Sequence, residues 1–336
     1  MQKVLFYTDD IGSTNAQKFC QIDFDIIREN GYDLVISDKR QELLKFWKYD
    51  IFFGYFFTWN FFRALPLALC GKKVFLTGGI DSFDKNTVSK KSYIFQIIFF
   101  FLCYVISTKC IIVSDNDWGN IERIYHGHLK KKLIKSYHVI DVDKFLSTEY
   151  ENRQKRFVTI CWQGALRNIH RKGIVNSLKI FKYLIGKGDF RDFVYVIAGR
   201  KGAATEYLET VISEMGLEER VKITGEISEE EKVDLLKDSK YYFQLSTYEG
   251  FGLAALEAEA AGDIIIHSNN GGLKYVVGNY GVIVDCNHID EQMDIIYKDI
   301  LEFDYKKIEE AQKWVRCAFA YNRRKNEFAQ LFQGVM

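Results

Sequence analysis

Apolar and polar positions alternate along this chain in two ways. Short apolar runs, each about the length of a buried strand, are separated by longer stretches in which the apolar residues have helical spacing. That alternation is typical of α/β proteins, in which crossover helices join parallel strands. The pattern predicts strands at residues 4–7, 34–36, 51–53, 74–76, 110–113, 157–162, 194–198, 221–224, 241–245, 264–267 and 282–284.

The predicted strands fall into two groups, which indicates two doubly wound, Rossmann-like domains. The charged segment 147–156 lies between the groups and is the best linker, although it contains no proline or glycine. We therefore predict an α/β chain with one domain at residues 1–152 and another at residues 153–318. Because ligands bind outside the carboxyl ends of parallel strands, we expect the domains to face each other across a cleft.

Composition narrows the class of protein. With 336 residues, of which 48% are hydrophobic, the chain has enough apolar material for two globular cores. A formal net charge of +1 is not the one-sided charge of a nucleic-acid-binding surface, so we expect no nucleic-acid partner. The seven cysteines are scattered without metal-binding spacing, which favours a reducing, cytoplasmic location.

One segment raises the question of a membrane. Residues 93–106 are apolar except for Gln96, and Lys85, Lys90 and Lys91 precede them. The segment is shorter than the ~20 apolar residues that span a bilayer. Two interpretations stay open. One is a helix buried in the protein, and the other is an interfacial helix over 91–106 whose lysines contact lipid headgroups, which would make the protein peripheral on the inner face of the cell membrane.

The stretch STYEGFGLAALEAEAAG, residues 246–262, holds the strongest candidate chemistry. It follows a predicted strand and continues into strong helix-forming residues. Gly250 and Gly252 would leave the amides of a helix N-terminus open to an anion such as phosphate. Glu249 lies in the loop and Glu257 about a turn and a half into the helix, and carboxylates are good acceptors for vicinal hydroxyls. Two unrelated surface glutamates could have the same spacing by chance.

The sequence around the two glutamates resembles the motif of a known protein family. The lead-in Ser-x-x-Glu-Gly-Phe-Gly, the Glu-x7-Glu spacing and the trailing Glu-Ala-x-Ala-x-Gly are similar to the donor-site signature of retaining glycosyltransferases of family 4, which have the GT-B fold. The resemblance implies that Glu249 positions hydroxyls of the donor sugar and Glu257 those of the ribose. It also implies that the amides of Phe251, Gly252 and Leu253 stabilise the donor diphosphate.

A second segment, residues 159–173, follows the first strand of the second predicted domain. The family has Gly-Arg and then Lys-Gly in this loop, and its cations grip the donor diphosphate. Gly164 and the Lys172-Gly173 pair match this pattern, but Ala165 follows Gly164. The resemblance therefore implies a diphosphate-binding role for Lys172, and the choice of the accompanying cation between Arg167 and Arg171 stays open.

The resemblance is looser in the first domain. Gly12 lies in a loop similar to the family's glycine loop, although a plain strand-to-helix turn explains the same residues. Asp81 stands where the family has a histidine and would take an acceptor-side role. The family's last helix crosses back onto the first domain, which implies that residues 319–336 belong with 1–152. The pair Asp141 and Asp143 lacks further acidic ligands nearby, so we predict no metal site.

These expectations together describe a hexosyltransferase-type enzyme. It would transfer a sugar from a nucleoside-diphosphate sugar to a glycan or lipid-linked acceptor, with retention of the anomeric configuration, in the synthesis of a surface polysaccharide or glycoconjugate. No cofactor or metal is expected. Two alternatives stay open: a GT-B epimerase that acts on the sugar nucleotide itself, and a protein that binds nucleotide sugars without catalysis.

Overall fold

The computed structural model describes residues 1–15, 17–83, 85, 88–147 and 150–334. The chain divides into two compact units, Met1–Ile140 together with Phe319–Met336, and Asp141–Ala318. The first division lies at 140/141 rather than at the predicted 152/153. The physical reason is burial: Phe145 is fully buried against helices of the second unit, and the Arg153 guanidinium donates to the Ser239 and Ala261 carbonyls of that unit.

The first unit contains a parallel sheet of six strands in the order β2-β1-β3-β4-β5-β6. Its strands are β1 Lys3–Tyr7, β2 Asp33–Ser37, β3 Ile51–Tyr55, β4 Lys73–Thr77, β5 Lys109–Ile112 and β6 Leu133–Lys135. Its helices up to residue 140 are α1 Ile11–Asn15, α2 Lys18–Glu29, α3 Arg40–Leu44, α4 Asn60–Leu69, α5 Lys90–Ile106 and α6 Asp115–Tyr125, with 3-10 turns at Phe46–Lys48, Asp81–Phe83 and Lys130–Lys132.

The second unit contains another parallel six-stranded sheet, in the order β12-β11-β10-β7-β8-β9. Its strands are β7 Arg156–Ile160, β8 Val194–Ala198, β9 Val221–Gly225, β10 Tyr241–Gln244, β11 Ile264–His267 and β12 Val282–Ile283. Its helices are α7 Val142–Phe145, α8 Leu166–Arg171, α9 Ile174–Ile185, α10 Thr205–Glu214, α11 Glu229–Lys237, α12 Leu253–Ala261, α13 Leu273–Val276, α14 Ile289–Leu301 and α15 Lys306–Ala318, with a 3-10 turn at Gly188–Phe190. The last helix, α16 Tyr321–Gln333, returns to the first unit.

Every predicted strand overlaps an observed one, and the doubly wound arrangement of each unit is confirmed. The strand that the pattern did not predict is β6, which is only three residues long. It is short because Lys132 and Lys135 flank just two buried apolar residues, Leu133 and Ile134. A run of this length carries no clear periodicity.

The C-terminal segment contains two helices, α15 and α16. The break falls at Phe319 and Ala320, where the Phe319 carbonyl accepts a hydrogen bond of 3.0 Å from the Ile140 amide. Beyond it, α16 packs on the sheet of the first unit. Its Arg324 is fully buried and pairs with both carboxylate oxygens of Asp23, at 2.6 and 2.8 Å.

The strand order of the second unit has a consequence for ligand binding. Chain order runs outward from β7 through β8 and β9 on one side, and from β10 through β11 and β12 on the other. The order therefore reverses between β7 and β10, and such a switch point opens a crevice at the carboxyl ends of the strands. The segments after these two strands are residues 161–173 and 245–252, the two that sequence analysis selected.

None of the helices in the described part of the chain has the length and apolar character needed to cross a membrane.

Candidate active site

The segments after β7 and β10 are in direct contact. The Thr247 amide donates to the Arg171 carbonyl at 2.8 Å. At Gly173 the backbone has a φ of 66°, and a Cβ there would lie 2.1 Å from the Leu245 carbonyl oxygen. Only glycine tolerates both conditions, because a side chain would be strained by the left-handed backbone and would collide with the neighbouring strand end. Gly173 therefore allows Lys172 to approach the loop of Glu249.

The predicted cations lie on a short helix rather than in a loop. Helix α8 spans Leu166–Arg171, and Lys172 follows as its C-terminal cap. Arg171 donates from Nη1 to the Tyr248 carbonyl at 3.1 Å and lies 3.9 Å from Glu249 Oε2. Arg167 is exposed, and no ion pair to it is found among the described residues. The structure thus brings Arg171 and Lys172 to the acidic motif, and not Arg167.

Glu249 is the best-anchored side chain of the site. Its Oε2 atom accepts from Lys172 Nζ at 2.6 Å, from Gln244 Nε2 at 3.0 Å and from Ser246 Oγ at 3.2 Å. Its Oε1 atom has no hydrogen-bond donor in the described part of the chain. The carboxylate is therefore fixed through one oxygen, while the other remains available.

The charge of Glu249 follows from this environment. Burial alone would raise the pKa of the carboxyl group, but the Lys172 ammonium and the Arg171 guanidinium offset it, and the pKa is held below its usual value. Charge-assisted hydrogen bonds to the ionised form have the same effect. Glu249 is consequently a carboxylate at neutral pH, an acceptor without a proton to donate.

Glu257 has a lysine partner that the sequence analysis did not identify. The side chain of Lys232, in α11, reaches 2.7 Å from Glu257 Oε2, and both residues are buried. Lys232 also lies 3.2 Å from Glu229 and over the ring of Phe145 at 5.6 Å. The signal was available, since Lys232 occupies the apolar face of α11 one turn before buried Leu236.

The sequence analysis also did not identify the Gln244 and Ser246 side chains as the ones that orient Glu249. Gln244 is a buried amide at the end of β10, where the aromatic and apolar run suggested only a core strand. Its Nε2 bridges Ser246 Oγ at 2.8 Å and the Glu249 carboxylate. A polar side chain inside an otherwise apolar strand, just before a candidate acid, was the available indication.

The turn between the two glutamates has the predicted form. Gly252 caps the N-terminus of α12 with a φ of 103°, and Gly262 caps the C-terminus with a φ of 90°. The amides of the first helical turn have no acceptor within the helix and form a partly positive end. Gly250, Phe251 and Leu253 surround this N-terminus. Helix α11 begins with a capping box, in which Ser228 and Glu231 are bonded in both directions at 2.7 and 3.1 Å.

The glycine pair after β11 is bound to this same turn. The Gly272 amide donates to the Glu249 carbonyl at 2.6 Å, and a Cβ on Gly271 would lie 2.3 Å from that carbonyl oxygen. The Gly272 amide is therefore already occupied within the protein. The pair thus serves a close approach of two backbone segments at this point.

The remaining predicted residues lie in several places. Gly164 is at the carboxyl edge of the second sheet, where a Cβ would lie 2.2 Å from the Trp162 indole. Gly12 lies in α1 of the first unit, after the turn in which Asp10 Oδ1 accepts from the Ser13 amide at 3.0 Å. Asp81 is exposed at the start of a 3-10 turn after β4. Their roles stay predictions.

A metal site would need several acidic, histidine or cysteine side chains close together. In the part of the chain that the structure describes, no group of three or more His, Cys, Asp or Glu side chains could hold a metal ion. Asp143, one member of the Asp-x-Asp pair, forms an exposed ion pair with Arg316 at 2.8 Å.

The fold is that of known glycosyltransferase structures. HepE of Anabaena, solved in complex with UDP and glucose, matches with a TM-score of 0.75 and 14% identity over 99% of this chain and 100% of that chain. Sucrose-phosphate synthase of Thermosynechococcus elongatus matches with a TM-score of 0.75 and 14% identity, over 100% of this chain and 99% of that one. The chain has the GT-B fold.

Sequence comparison agrees with the fold. Residues 150–314 match the model of the family described as glycosyl transferases group 1. The second unit is therefore similar in sequence to the glycosyl transferases group 1. The resemblance inferred from the motifs is confirmed at this level, while membership of family 4 stays a prediction.

The curated relatives match over part of the chain. The O-antigen chain mannosyltransferase B of Escherichia coli is 26% identical over 46% of this chain and 41% of its own length. The GDP-mannose:cellobiosyl-diphosphopolyprenol alpha-mannosyltransferase of Xanthomonas oryzae is 29% identical over 40% of this chain and 35% of its own length. The chain thus spans less than half the length of these relatives.

Proposed function

We propose that this chain is a retaining glycosyltransferase of the family 4 type. It transfers a hexosyl group from a nucleoside-diphosphate sugar to a glycan or lipid-linked acceptor. The setting that we propose is the synthesis of a surface polysaccharide or glycoconjugate in the cytoplasm, at the inner face of the cell membrane.

The observation that carries the proposal is the hydrogen bonding of Glu249. Three donors, Lys172 Nζ, Gln244 Nε2 and Ser246 Oγ, converge on Oε2. A carboxylate fixed through one oxygen can accept from sugar hydroxyls through the other. The ammonium at the same point suits a phosphate oxygen. One locus therefore combines a hydroxyl acceptor with an anion-binding cation, as a sugar diphosphate requires.

The proposed reaction exchanges one bond for another at the anomeric carbon. The bond to the diphosphate oxygen breaks, and a bond to an acceptor oxygen forms on the same face of the sugar. The acceptor proton passes to a departing phosphate oxygen. Negative charge that develops on the diphosphate is stabilised by Lys172, Arg171 and the first-turn amides of α12. Because these protein groups supply the positive charge, we propose no metal requirement.

Each glutamate has its own task in this proposal. Glu249 holds hydroxyls of the donor sugar, and Glu257 holds those of the ribose, so that the diphosphate between them meets Lys172. Charged acceptors form stronger hydrogen bonds to hydroxyls than neutral ones do. Gly164 and the amides near Gly250 complete the phosphate side.

The names of the relatives support the class of donor and acceptor. The E. coli relative is named for an O-antigen chain, and the Xanthomonas relative is named for GDP-mannose and a diphosphopolyprenol-linked sugar. The Anabaena structure holds UDP and glucose. Hexoses linked to GDP or UDP are therefore the first donors to test.

A ligand screen followed by product analysis tests the proposal. Thermal unfolding is measured with ADP, GDP, UDP and their hexose conjugates, since a ligand that binds only the folded state raises the melting temperature. The donor that binds best is then incubated with lipid-linked and soluble glycan acceptors, with and without EDTA. We expect a transferred hexose whose anomeric configuration, read by NMR, equals that of the donor, and no effect of EDTA.

The alternatives predict other outcomes of the same experiment. An epimerase would rearrange the donor sugar in water without an acceptor. A binding protein would raise the melting temperature without any product. Inversion at the anomeric carbon would contradict the retaining assignment.

A further inference from the structure

Helix α5 exposes five of its apolar side chains. Of its 17 residues, the buried ones are Gln96, Phe100 and Cys103. Ile94, Ile98, Phe101 and Val105 are all exposed and follow one another at helical spacing, so they share one face. Ile98 keeps 52% of its surface. One side of the helix is buried, as the first interpretation of this segment expects, while the opposite side is exposed.

Aromatic side chains from the neighbouring α4 region extend this face. Trp59 and Phe62 are exposed by 58% and 53%. The Trp59 ring lies 6.0 Å from that of Phe62, 6.3 Å from Phe95 and 6.0 Å from Phe99, and Phe95 stacks on Phe99 at 4.2 Å. We call this set the aromatic face: Trp59, Phe62, Ile94, Phe95, Ile98, Phe99, Phe101 and Val105.

Helix α5 is oriented so that its polar Gln96 side chain is buried inside the first unit. Its one uncharged amide side chain, Gln96, is buried and donates to the Phe57 carbonyl at 3.0 Å. The helix therefore satisfies its amide inside the unit and exposes Phe95 and Phe101 on its outer side. Single exposed apolar residues are common on proteins, but a contiguous patch marks an interaction surface.

The charges on α4, on α5 and on the Lys130–Lys132 turn are all positive, although Glu122 of α6 pairs with Lys130 at 3.1 Å. Lys90 and Lys91 are exposed at the start of α5. At its other end, Lys132 Nζ donates to the Tyr104 and Val105 carbonyls at 3.2 and 2.7 Å, which brings the Lys130–Lys132 turn to this point. Neither α4 nor α5 contains an aspartate or glutamate. The apolar face is thus bordered by cations at both ends of the helix.

We propose that the aromatic face lies in the headgroup region of an anionic lipid bilayer. Trp and Phe side chains enter the boundary between headgroups and acyl chains, while lysines contact lipid phosphates. A second copy of this chain fits less well, because α4 and α5 of that copy would bring no carboxylate to Lys90 and Lys91. The surface belongs to the first unit and does not depend on the proposed sugar transfer.

Vesicle sedimentation of the full chain tests the proposal. The protein is mixed with vesicles of phosphatidylcholine alone and with vesicles that also contain phosphatidylglycerol. We expect binding that increases with the anionic lipid and decreases with salt, since each surface lysine contributes about a fivefold factor at low ionic strength. Lys90→Gln with Lys91→Gln should therefore weaken binding by about 25-fold.

A matched pair of variants distinguishes vesicle binding through the aromatic face from nonspecific adsorption. Ile98→Glu with Phe101→Glu puts two carboxylates on the aromatic face, and we expect at least a tenfold loss of vesicle binding. Ile295→Glu is the control, since Ile295 is 57% exposed on α14 of the second unit. It should bind vesicles as the unchanged protein does. Circular dichroism and the nucleotide thermal shift verify that each variant is folded.

Three results would overturn the proposal. The first is no sedimentation with either vesicle, and the second is equal binding by the Ile98→Glu, Phe101→Glu protein. The third is a dimer in solution that these two substitutions dissolve while vesicles bind nothing, which would assign the face to a second copy. A normal nucleotide thermal shift in those samples keeps failure here distinct from failure of the proposed function.

Discussion

Glu249 and Glu257 of the second unit each form an ion pair with a lysine, and the two pairs have nearly the same distance. The side chains and backbone around the two pairs differ. Lys172 Nζ lies 2.6 Å from Glu249, and Lys232 Nζ lies 2.7 Å from Glu257. Glu249 follows a strand, and side chains of Gln244 and Ser246 orient it. Glu257 lies inside α12, whose backbone sets its direction. Lys172 is therefore part of an assembled anion site, whereas Lys232 mainly supports an acid that the helix already positions.

Glu259 serves as the reference for these two glutamates, because it is buried and has no lysine partner in the described structure. Glu259 is two residues farther along α12 and buried, and neither carboxyl oxygen has a hydrogen-bond partner in the described structure. Burial raises its pKa well above the usual value. On one helix, Glu257 thus forms an ion pair with a lysine, whereas Glu259 has no such partner among the described residues and its pKa is raised.

Removal of Lys172 should produce the largest effect. In Lys172→Met, the cation that meets the leaving diphosphate is lost, and we expect turnover to fall about 10²- to 10³-fold. Burial would then raise the pKa of Glu249, because its main opposing charge is gone. The acid limb of the pH–rate profile should consequently move to higher pH. Steady-state rates at several pH values measure both effects.

The control for this variant is another lysine of the same unit. Lys179 forms an exposed ion pair with Asp290 at 3.1 Å. Lys179→Met should leave turnover and its pH profile unchanged. Equal rates for Lys172→Met and the unchanged protein would remove Lys172 from the proposed site.

The two glutamates should separate nucleotide binding from transfer. Glu257→Gln weakens the acceptor for the ribose hydroxyls, so we expect the Kd for the nucleoside diphosphate to rise about tenfold. Glu249→Gln should leave that Kd unchanged and lower the transfer rate, because a nucleoside diphosphate carries no donor sugar. Calorimetry with the nucleoside diphosphate measures the first effect and single-turnover transfer the second. The same loss of nucleotide affinity in both variants would abolish the distinction.

Sequence alone was sufficient for the layers of the fold and for the loops at the switch point. The apolar runs predict every longer strand, since period and length define them, and Gly252 and Gly262 mark the ends of α12. Ser228 and Glu231 likewise predict the start of α11 through local chemistry. Features of this kind depend on neighbours in the chain.

Sequence was insufficient where contacts join distant segments. Lys232 and Glu257 are paired only because α11 packs on α12, and the choice of Arg171 over Arg167 depends on the rotation of the short helix α8. The aromatic face also needs α4 beside α5, which no local pattern predicts. The unit boundary moved to 140/141 for the same reason, through packing of α7 on the second unit.

The contribution of Glu259 to the free energy of unfolding should depend on pH, because this buried carboxyl group has no hydrogen-bond partner in the described structure. Its pKa is raised in the folded state above the ordinary value of 4.5, so its contribution to stability is complete below that pH and is lost as pH rises toward the folded-state pKa. Glu259→Gln should therefore gain on the unchanged protein by up to about 1.4 kcal/mol per pH unit above the ordinary value. Thermal unfolding at pH 5 and pH 7, followed on the transition that nucleotide shifts, measures the gain. The exposed Glu219→Gln is the control, and an equal gain at both pH values would contradict the assignment.

Lys232 should give the smallest effect and the sharpest test of the comparison. Lys232→Met removes the cation from Glu257 but leaves the helix that positions it, so we expect the Kd for the nucleoside diphosphate to rise about fivefold or less, while Lys232→Arg retains affinity. In a Glu257→Gln background, Lys232→Met should add nothing further, because two side chains that act through one contact are not additive. Calorimetry on both single variants and the double variant completes the cycle. Additive losses would mean that Lys232 contacts the nucleotide itself, and the two glutamate–lysine pairs would then have the same role rather than different ones.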